Sequence, residues 1–253
     1  MIPIKTDSEI KIMRENGKIL ASIMKELEGK IEPGIITKEL DRLAQSLVLK
    51  YNGIPSFKDY EGFPASLCVS INEQIVHGAP SERILKEGDI VSLDLGFFKN
   101  GFHSDMAITV PVGEIPPETN RLIKASKKAL KRGIKKAKIG NTFGDVSNTI
   151  QRYVEGQGFV VVKDLCGHGI GKNLHEDPQI LNYGKRHKGD EIKQGMCFCL
   201  EPMLAMTGDG EIKKSEDSFA FETENNSLSA HFEHTIAMTK RGAEVLTKEL
   251  SEK

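Results

Sequence analysis

Ile10, Met13, Leu20, Ile23 and Leu27 recur at the three- and four-residue intervals of one helix face, and Thr6-Asp7-Ser8-Glu9 just ahead has the form of a capping box. The pattern predicts a helix over 7–28. Pro33-Gly34 breaks it, and a second stripe of Leu40, Leu43, Leu47 and Val48 predicts another helix from Thr37 to the Asn52-Gly53 stop. Residues 67–71, 90–98 and 102–110 are apolar at successive or alternate positions and read as strands. The last two flank Asn100-Gly101, a pair that accepts positive φ at both positions and predicts a two-residue hairpin turn.

Beyond Pro111 and Pro116-Pro117 the order recurs. Helices are expected over about 118–137 and 142–155, separated by Gly140, followed after Gly158 by strands over 159–165, 196–203 and 231–238. Gly34 and Asp94 are 60 positions apart, and Gly140 and Glu201 are 61 apart. Matching element order and matching spacing together predict a duplicated helix-helix-strand unit of α+β class, with a functional site at the seam. No low-complexity tract or Pro/Gly/Ser-rich linker divides the chain. One continuous domain over 1–253 is therefore expected, with half-repeats of about 1–112 and 113–253.

Composition removes several functional classes. The longest uninterrupted apolar run is 196–200, far below the ~18 residues of a membrane-spanning helix. The N-terminal stretch is amphipathic from the start, with Lys5, Asp7, Glu9 and Lys11 and no apolar signal core, so a cytoplasmic protein is expected. Lys and Arg number 35 against 36 Asp and Glu, so overall basicity offers no argument for nucleic-acid binding. The four cysteines, Cys68, Cys166, Cys197 and Cys199, form no C-x-x-C pair and are read as reduced.

The candidate chemistry starts at the hairpin. A two-residue turn at Asn100-Gly101 puts Gly96 opposite Asp105 and Asp94 opposite Ala107, so the two acids are diagonal neighbours on one sheet face. Asp94 also lies in the apolar run Val91-Ser92-Leu93-Asp94-Leu95, where an unpaired carboxylate costs several kcal/mol. Glu201 after Cys197-Phe198-Cys199-Leu200, and Glu233 in Ala230-His231-Phe232-Glu233-His234, repeat the pattern of an acid among apolar neighbours. Four such carboxylates suggest a cage for hard divalent cations, which would relieve both repulsion and burial. Cys197 and Cys199 share a strand face with Glu201 but read as small core residues. In Cys166-Gly167-His168-Gly169-Ile170-Gly171-Lys172 the glycines clear space around His168 for close approach of other groups. The run is not a phosphate-binding loop, since Asn173 stands where Ser or Thr is needed, and His175-Glu176 lacks the second histidine of a zincin helix.

In order along the chain stand His77 in Val-His-Gly-Ala-Pro, Asp94 in Leu-Asp-Leu-Gly, Asp105 in His-Ser-Asp, His168 in Gly-His-Gly-Ile-Gly, His175 in His-Glu-Asp-Pro, Glu201 in Glu-Pro-Met and Glu233 in Phe-Glu-His-Thr. Seven motifs in this order, spread from about Ile10 to Leu246, resemble the type I methionine aminopeptidases. The resemblance implies the pita-bread fold, a pseudo-two-fold arrangement of duplicated halves around a central antiparallel sheet. It implies removal of an initiator methionine when the following residue is small. Asp94, Asp105, His168, Glu201 and Glu233 would bind two divalent ions per chain (Co, Mn, Fe, Zn or Ni), with Asp105 and Glu233 bridging. Glu201 would double as general base, His175 would stabilise the developing oxyanion, and His77 would contact the scissile nitrogen. Tyr60, Phe63, Cys68 and Phe219, with His77 and His175, would form the methionine pocket. Phe63 stands where many bacterial members have Tyr, Phe219 where they have Trp, and Leu174 where they often have Phe. The chain starts near the first helix, which favours the methionine branch over proline-cleaving relatives with a large preceding domain.

Cations at 121, 124, 127, 128, 131, 132, 135, 136 and 138, with no acid among them, make the third predicted helix basic on one side. Such a run is often only a solvated face; the reading adopted is a contact with ribosomal RNA close to emerging chains. The expected partners are thus a nascent polypeptide N-terminus and the ribosome, with no membrane and a monomeric state. A non-enzymatic binding protein on the same fold is the competing reading; it would be expected to have lost metal ligands, and all five positions are filled here.

Overall fold

The computed structural model describes residues 1–216 and 219–248. Among these residues there are four α-helices: α1 (Asp7–Glu28), α2 (Thr37–Lys50), α3 (Pro117–Lys136) and α4 (Phe143–Gly156). All four lie within a few residues of the ranges expected from apolar spacing. In α1 the Thr6 side chain accepts the Glu9 N–H while the Glu9 carboxylate takes the Thr6 N–H, a capping box worth about 1 kcal/mol. Thr142 and Asp145 repeat the device on α4. One apolar cluster packs α1 and α2 against the strand Ile90–Lys99 through Leu20, Met24, Leu40, Leu93 and Phe97; a second packs α3 and α4 through Leu122, Ala129, Val146 and Ile150 against Phe198 and Ile236. A helix pair backed by strands therefore occurs twice along the chain.

The strand layer is antiparallel throughout. Ile90–Lys99 pairs with Phe102–Pro111 in the register that the Asn100-Gly101 turn dictates, Asp94 opposite Ala107 and Gly96 opposite Asp105. Asn100 (φ 52°) and Gly101 (φ 82°) both take the positive φ that a primed turn demands. In the second half the strands Gly242–Val245, His234–Thr239, Cys197–Leu200, Cys166–Gly169 and Glu176–Leu181 pair in that order.

Three expected strands are broken rather than continuous. The 196–203 segment divides into Cys197–Leu200 and Met203–Ala205, because Pro202 has no N–H to offer a ladder. The 231–238 segment divides into Ser229–His231 and His234–Thr239, since the Glu233 N–H turns away to the Ala107 carbonyl at 2.9 Å. Of 159–165 only Val160–Val161 is strand; the Lys163 N–H is spent on Gly210. Glu201 and Glu233 both occupy these breaks, where the chain leaves one sheet for another.

Two threonines lock the halves across the seam. The Thr235 hydroxyl accepts the Asp105 N–H and donates to the Asp105 carbonyl, both at 2.8 Å. Reciprocally, the Thr109 hydroxyl accepts the His231 N–H and donates to the His231 carbonyl, again at 2.8 Å. Each half thus supplies a buried hydroxyl that fixes the backbone of the other half beside its acid. Among the described residues no helix is long and apolar enough to cross a membrane.

Candidate metal centre

Between the halves opens a cavity of about 850 Å³. Asp94, Asp105, Glu201 and Glu233 reach its floor, His168, His175 and His77 stand around them, and Tyr60, Phe63, Cys68 and Phe219 form one wall. Every site residue expected from the sequence therefore meets in one cavity.

Local geometry explains each placement. Asp94 and Asp105 come from the two arms of one hairpin and Glu233 from across the seam; each offers an oxygen within 4.8 Å of the others. His168 sits in a strand stripped of neighbouring side chains: a Cβ on Gly167 would lie 2.4 Å from the Cys199 carbonyl oxygen, and one on Gly169 only 2.0 Å from that of Asp177. The glycines let two strands close on either side of the imidazole, which places His168 Nε2 3.6 Å from Glu201 Oε1. His77 holds a backbone φ of 60°, uncommon for a residue with a Cβ, and opens to the cavity. Tyr60 lies on a tight turn at the rim and its hydroxyl contacts His175 Nδ1 at 3.0 Å. Phe63 and Phe219 meet edge to face at 5.7 Å.

The electrostatics of the floor are those of a site that needs cations. Burial first, then the Asp105 and Glu201 charges, pushes the Asp94 carboxyl well above its usual range; burial and the neighbouring acids do the same to Glu233, and burial with Asp105 to Glu201. Burial also raises Asp105, against the pull of the Met106 N–H. Asp94 Oδ1 and Glu233 Oε1 are buried without a hydrogen-bond partner. Burial pushes His168 down to about 3 and lowers His77 and His175, so the imidazoles are neutral, the form that ligates. Buried carboxylate oxygens with no partner, beside a neutral imidazole, fit hard or borderline divalent ions. Cys199, in reach of His168 and Glu233, is held as a thiol by its burial.

This sets a pH dependence of stability. Unfolded carboxyls ionise near pH ~4, whereas the folded cluster retains protons to higher pH, so over that interval the folded chain binds more protons and loses stability as pH rises. Between about pH 7 and about pH 8, above the unfolded histidine range and below that of cysteine, the carboxyls dominate. The melting midpoint of metal-stripped protein is expected to fall across this window, and excess Mn²⁺ to raise it more at the upper end. Equal midpoints with and without Mn²⁺ at both pH values would refute the assignment.

Several residues that matter here carry no sequence signal. Thr109 and Thr235 are unremarkable strand threonines until the halves meet. Glu176 pairs with Lys5 at 2.5 Å, both side chains largely covered, and takes the Asn173 N–H at 3.2 Å, so it ties the N-terminal segment to the turn that carries His175. His231, beside Glu201, carries no such signal either.

Residues 11–240 match metallopeptidase family M24, which makes the class a metallopeptidase. A methionine aminopeptidase of Clostridium acetobutylicum is 47% identical over 98% of this chain and 99% of its own length, and methionine aminopeptidase 1 of Bacillus subtilis 46% identical over 98% and 100%. The crystal structure of methionine aminopeptidase from Thermotoga maritima superposes with a TM-score of 0.96 at 43% identity, covering 98% of this chain and 100% of that one. The chain belongs to the M24 metallopeptidases, among their methionine aminopeptidases. Its fold is the pita-bread fold, and its family uses divalent metal.

Proposed function

We propose that this chain removes the initiator methionine from cytoplasmic nascent polypeptides whose second residue is small, acting as a monomer with two divalent ions held by Asp94, Asp105, His168, Glu201 and Glu233. The observation that carries the reading is the convergence of these five side chains on the floor of a cavity whose wall is apolar. When bound, such ions supply positive charge that acidifies water and polarises a carbonyl. Glu201, with its pKa raised by burial and Asp105, is placed to take a proton from the attacking water and pass it on. Tyr60 on Nδ1 leaves His175 its Nε2–H to donate to the oxygen of the peptide carbonyl as charge develops there. His77, neutral and fixed by its strained backbone, contacts the scissile nitrogen. Phe63, Phe219, Cys68 and Tyr60 enclose a volume suited to an unbranched thioether.

Incubation of Met-Gly-Met-Met with metal-loaded protein is expected to release one methionine. No release with Mn, Fe, Co, Ni or Zn would refute the enzyme reading and favour a binding protein on the same fold.

The ribosome contact belongs to the same proposal. On α3 the apolar residues Leu122, Ala125, Ala129 and Leu130 are buried while Lys124, Lys127, Lys128 and Lys131 are exposed. Arg121 is engaged by Glu118 and the Gln157 carbonyl, Arg132 and Lys128 both lie over Tyr153 and Lys127 lies over Phe232, so Lys124 and Lys131 are the better phosphate partners, with Lys128 beside them. Reversing Lys124, Lys128 and Lys131 to Glu is expected to weaken ribosome co-sedimentation in a salt-dependent way, with peptide turnover unchanged. Co-sedimentation equal to that of the parent would end the idea.

A further inference from the structure

His231 is only 1% exposed, and neither of its ring nitrogens has a hydrogen-bond partner. Its backbone has no freedom to relieve this, because the Thr109 hydroxyl clasps both its N–H and its carbonyl and Met203 pairs with it across the strand. An imidazole held this way in an apolar setting would be replaceable by leucine or phenylalanine unless it served a polar group nearby. The polar group is Glu201: His231 Nε2 stands 3.6 Å from Glu201 Oε2, while the other oxygen, Oε1, stands 3.6 Å from His168 Nε2. Glu201 is therefore flanked by two imidazoles, one on each oxygen. Its backbone is fixed independently by Asn182, whose Nδ2 donates to the Glu201 carbonyl at 2.9 Å.

We propose that His231 is a positioning residue for Glu201: its Nε2–H holds Oε2, fixes the plane of the carboxylate and leaves Oε1 directed to the side of His168. This rests on the reading of Glu201 as both ligand and proton acceptor. The chemistry requires such a support, because a carboxylate that holds a cation through one oxygen and accepts a proton on the other must not rotate between the two tasks. An imidazole carries at least one N–H in either charge state, so His231 has a donor to offer Oε2. Closing the 3.6 Å gap to hydrogen-bond length needs a movement of roughly half an ångström, within the reach of side-chain adjustment. Tyr60 on His175 and His231 on Glu201 would then be parallel devices, each orienting a group that works on the substrate.

Two measurements test the proposal on the full-length protein. Turnover of Met-Gly-Met-Met by the Mn²⁺-loaded enzyme is compared for parent, His231→Leu and His231→Gln, and the metal-stripped proteins are titrated with Mn²⁺ alone by calorimetry. Leucine is expected to lower kcat by ~10–100-fold with KM changed by less than about two-fold, and to weaken Mn²⁺ binding at unchanged stoichiometry. Glutamine, whose side-chain amide offers an N–H from a similar position, is expected to restore most of both. If leucine fails to fold, His231→Phe, which fills more of the same space, takes its place with the same readouts. Parent-like kcat and Mn²⁺ affinity in the leucine or phenylalanine variant would overturn the proposal. So would loss of one equivalent of Mn²⁺, which would make His231 a ligand, or a defect that glutamine does not repair. A parent enzyme that binds Mn²⁺ but releases no methionine would instead refute the proposed function, leaving the effect of His231 on Mn²⁺ binding to be read by itself.

Discussion

Replacement of Glu201 by Gln is expected to slow methionine release by ~10²–10⁴-fold, the span associated with loss of a general base, with the fall mainly in kcat. Glutamine is nearly isosteric and keeps a carbonyl oxygen for the cation, so the substitution separates proton acceptance from shape. It also removes a charge from a floor where burial and Asp105 already oppose ionisation of Glu201, so the metal-stripped variant should be more stable near neutral pH than the parent. Opposite changes in activity and melting midpoint would identify a residue kept for chemistry at a cost to the fold. Steady-state kinetics with metal content measured on the same samples decides the matter: a kcat within ten-fold of the parent, at equal metal loading, would remove Glu201 from the role of base.

His175→Ala is expected to cost ~10²–10³-fold in kcat, the usual effect of removing one donor from a developing oxyanion. The metal complement should be unchanged, because the His175 ring is engaged by Tyr60 and, among the described residues, does not converge with Glu233 as Asp94, Asp105 and His168 do. Tyr60→Phe should give a smaller loss in the same direction, since it frees the ring without removing it. Loss of metal in the alanine variant would reassign His175 as a ligand.

Helix positions were legible from apolar spacing because each helix buries one stripe against a single apolar cluster. The Asp94–Asp105 pair was legible down to its register, since the turn at Asn100-Gly101 leaves only one way to pair the arms. Glu201 and Glu233 could be recognised as acids among apolar neighbours, but not their place in breaks between strands. Those breaks arise from Pro202 locally and, for Glu233, from an N–H bonded to Ala107 in the other half. Strands such as Ile212–Lys214 and Gly242–Val245 escaped notice because they are short and only partly buried, so alternation has nothing to mark. The roles of His77 and His175 followed from family resemblance alone, since nothing local distinguishes a histidine that will take a φ of 60°; for His168 the flanking glycines marked a close approach, but not the glutamate it would stand beside.

The paired threonine clasps bear on how the protein comes into being. Their partners are separated by 122 and 130 positions, about half the chain, so neither clasp can form until much of the second half has been synthesised and has closed back on the first. Contacts of such long range form slowly and late in folding, because the intervening chain must be ordered before they return any energy. Asp94 and Asp105 alone lack the third carboxylate that converges with them, so a truncated or half-folded copy would lack the full set of proposed ligands. On the proposed reading, competence to cut peptide bonds would be delayed until both halves are in place, and a fragment that ends midway would be inert.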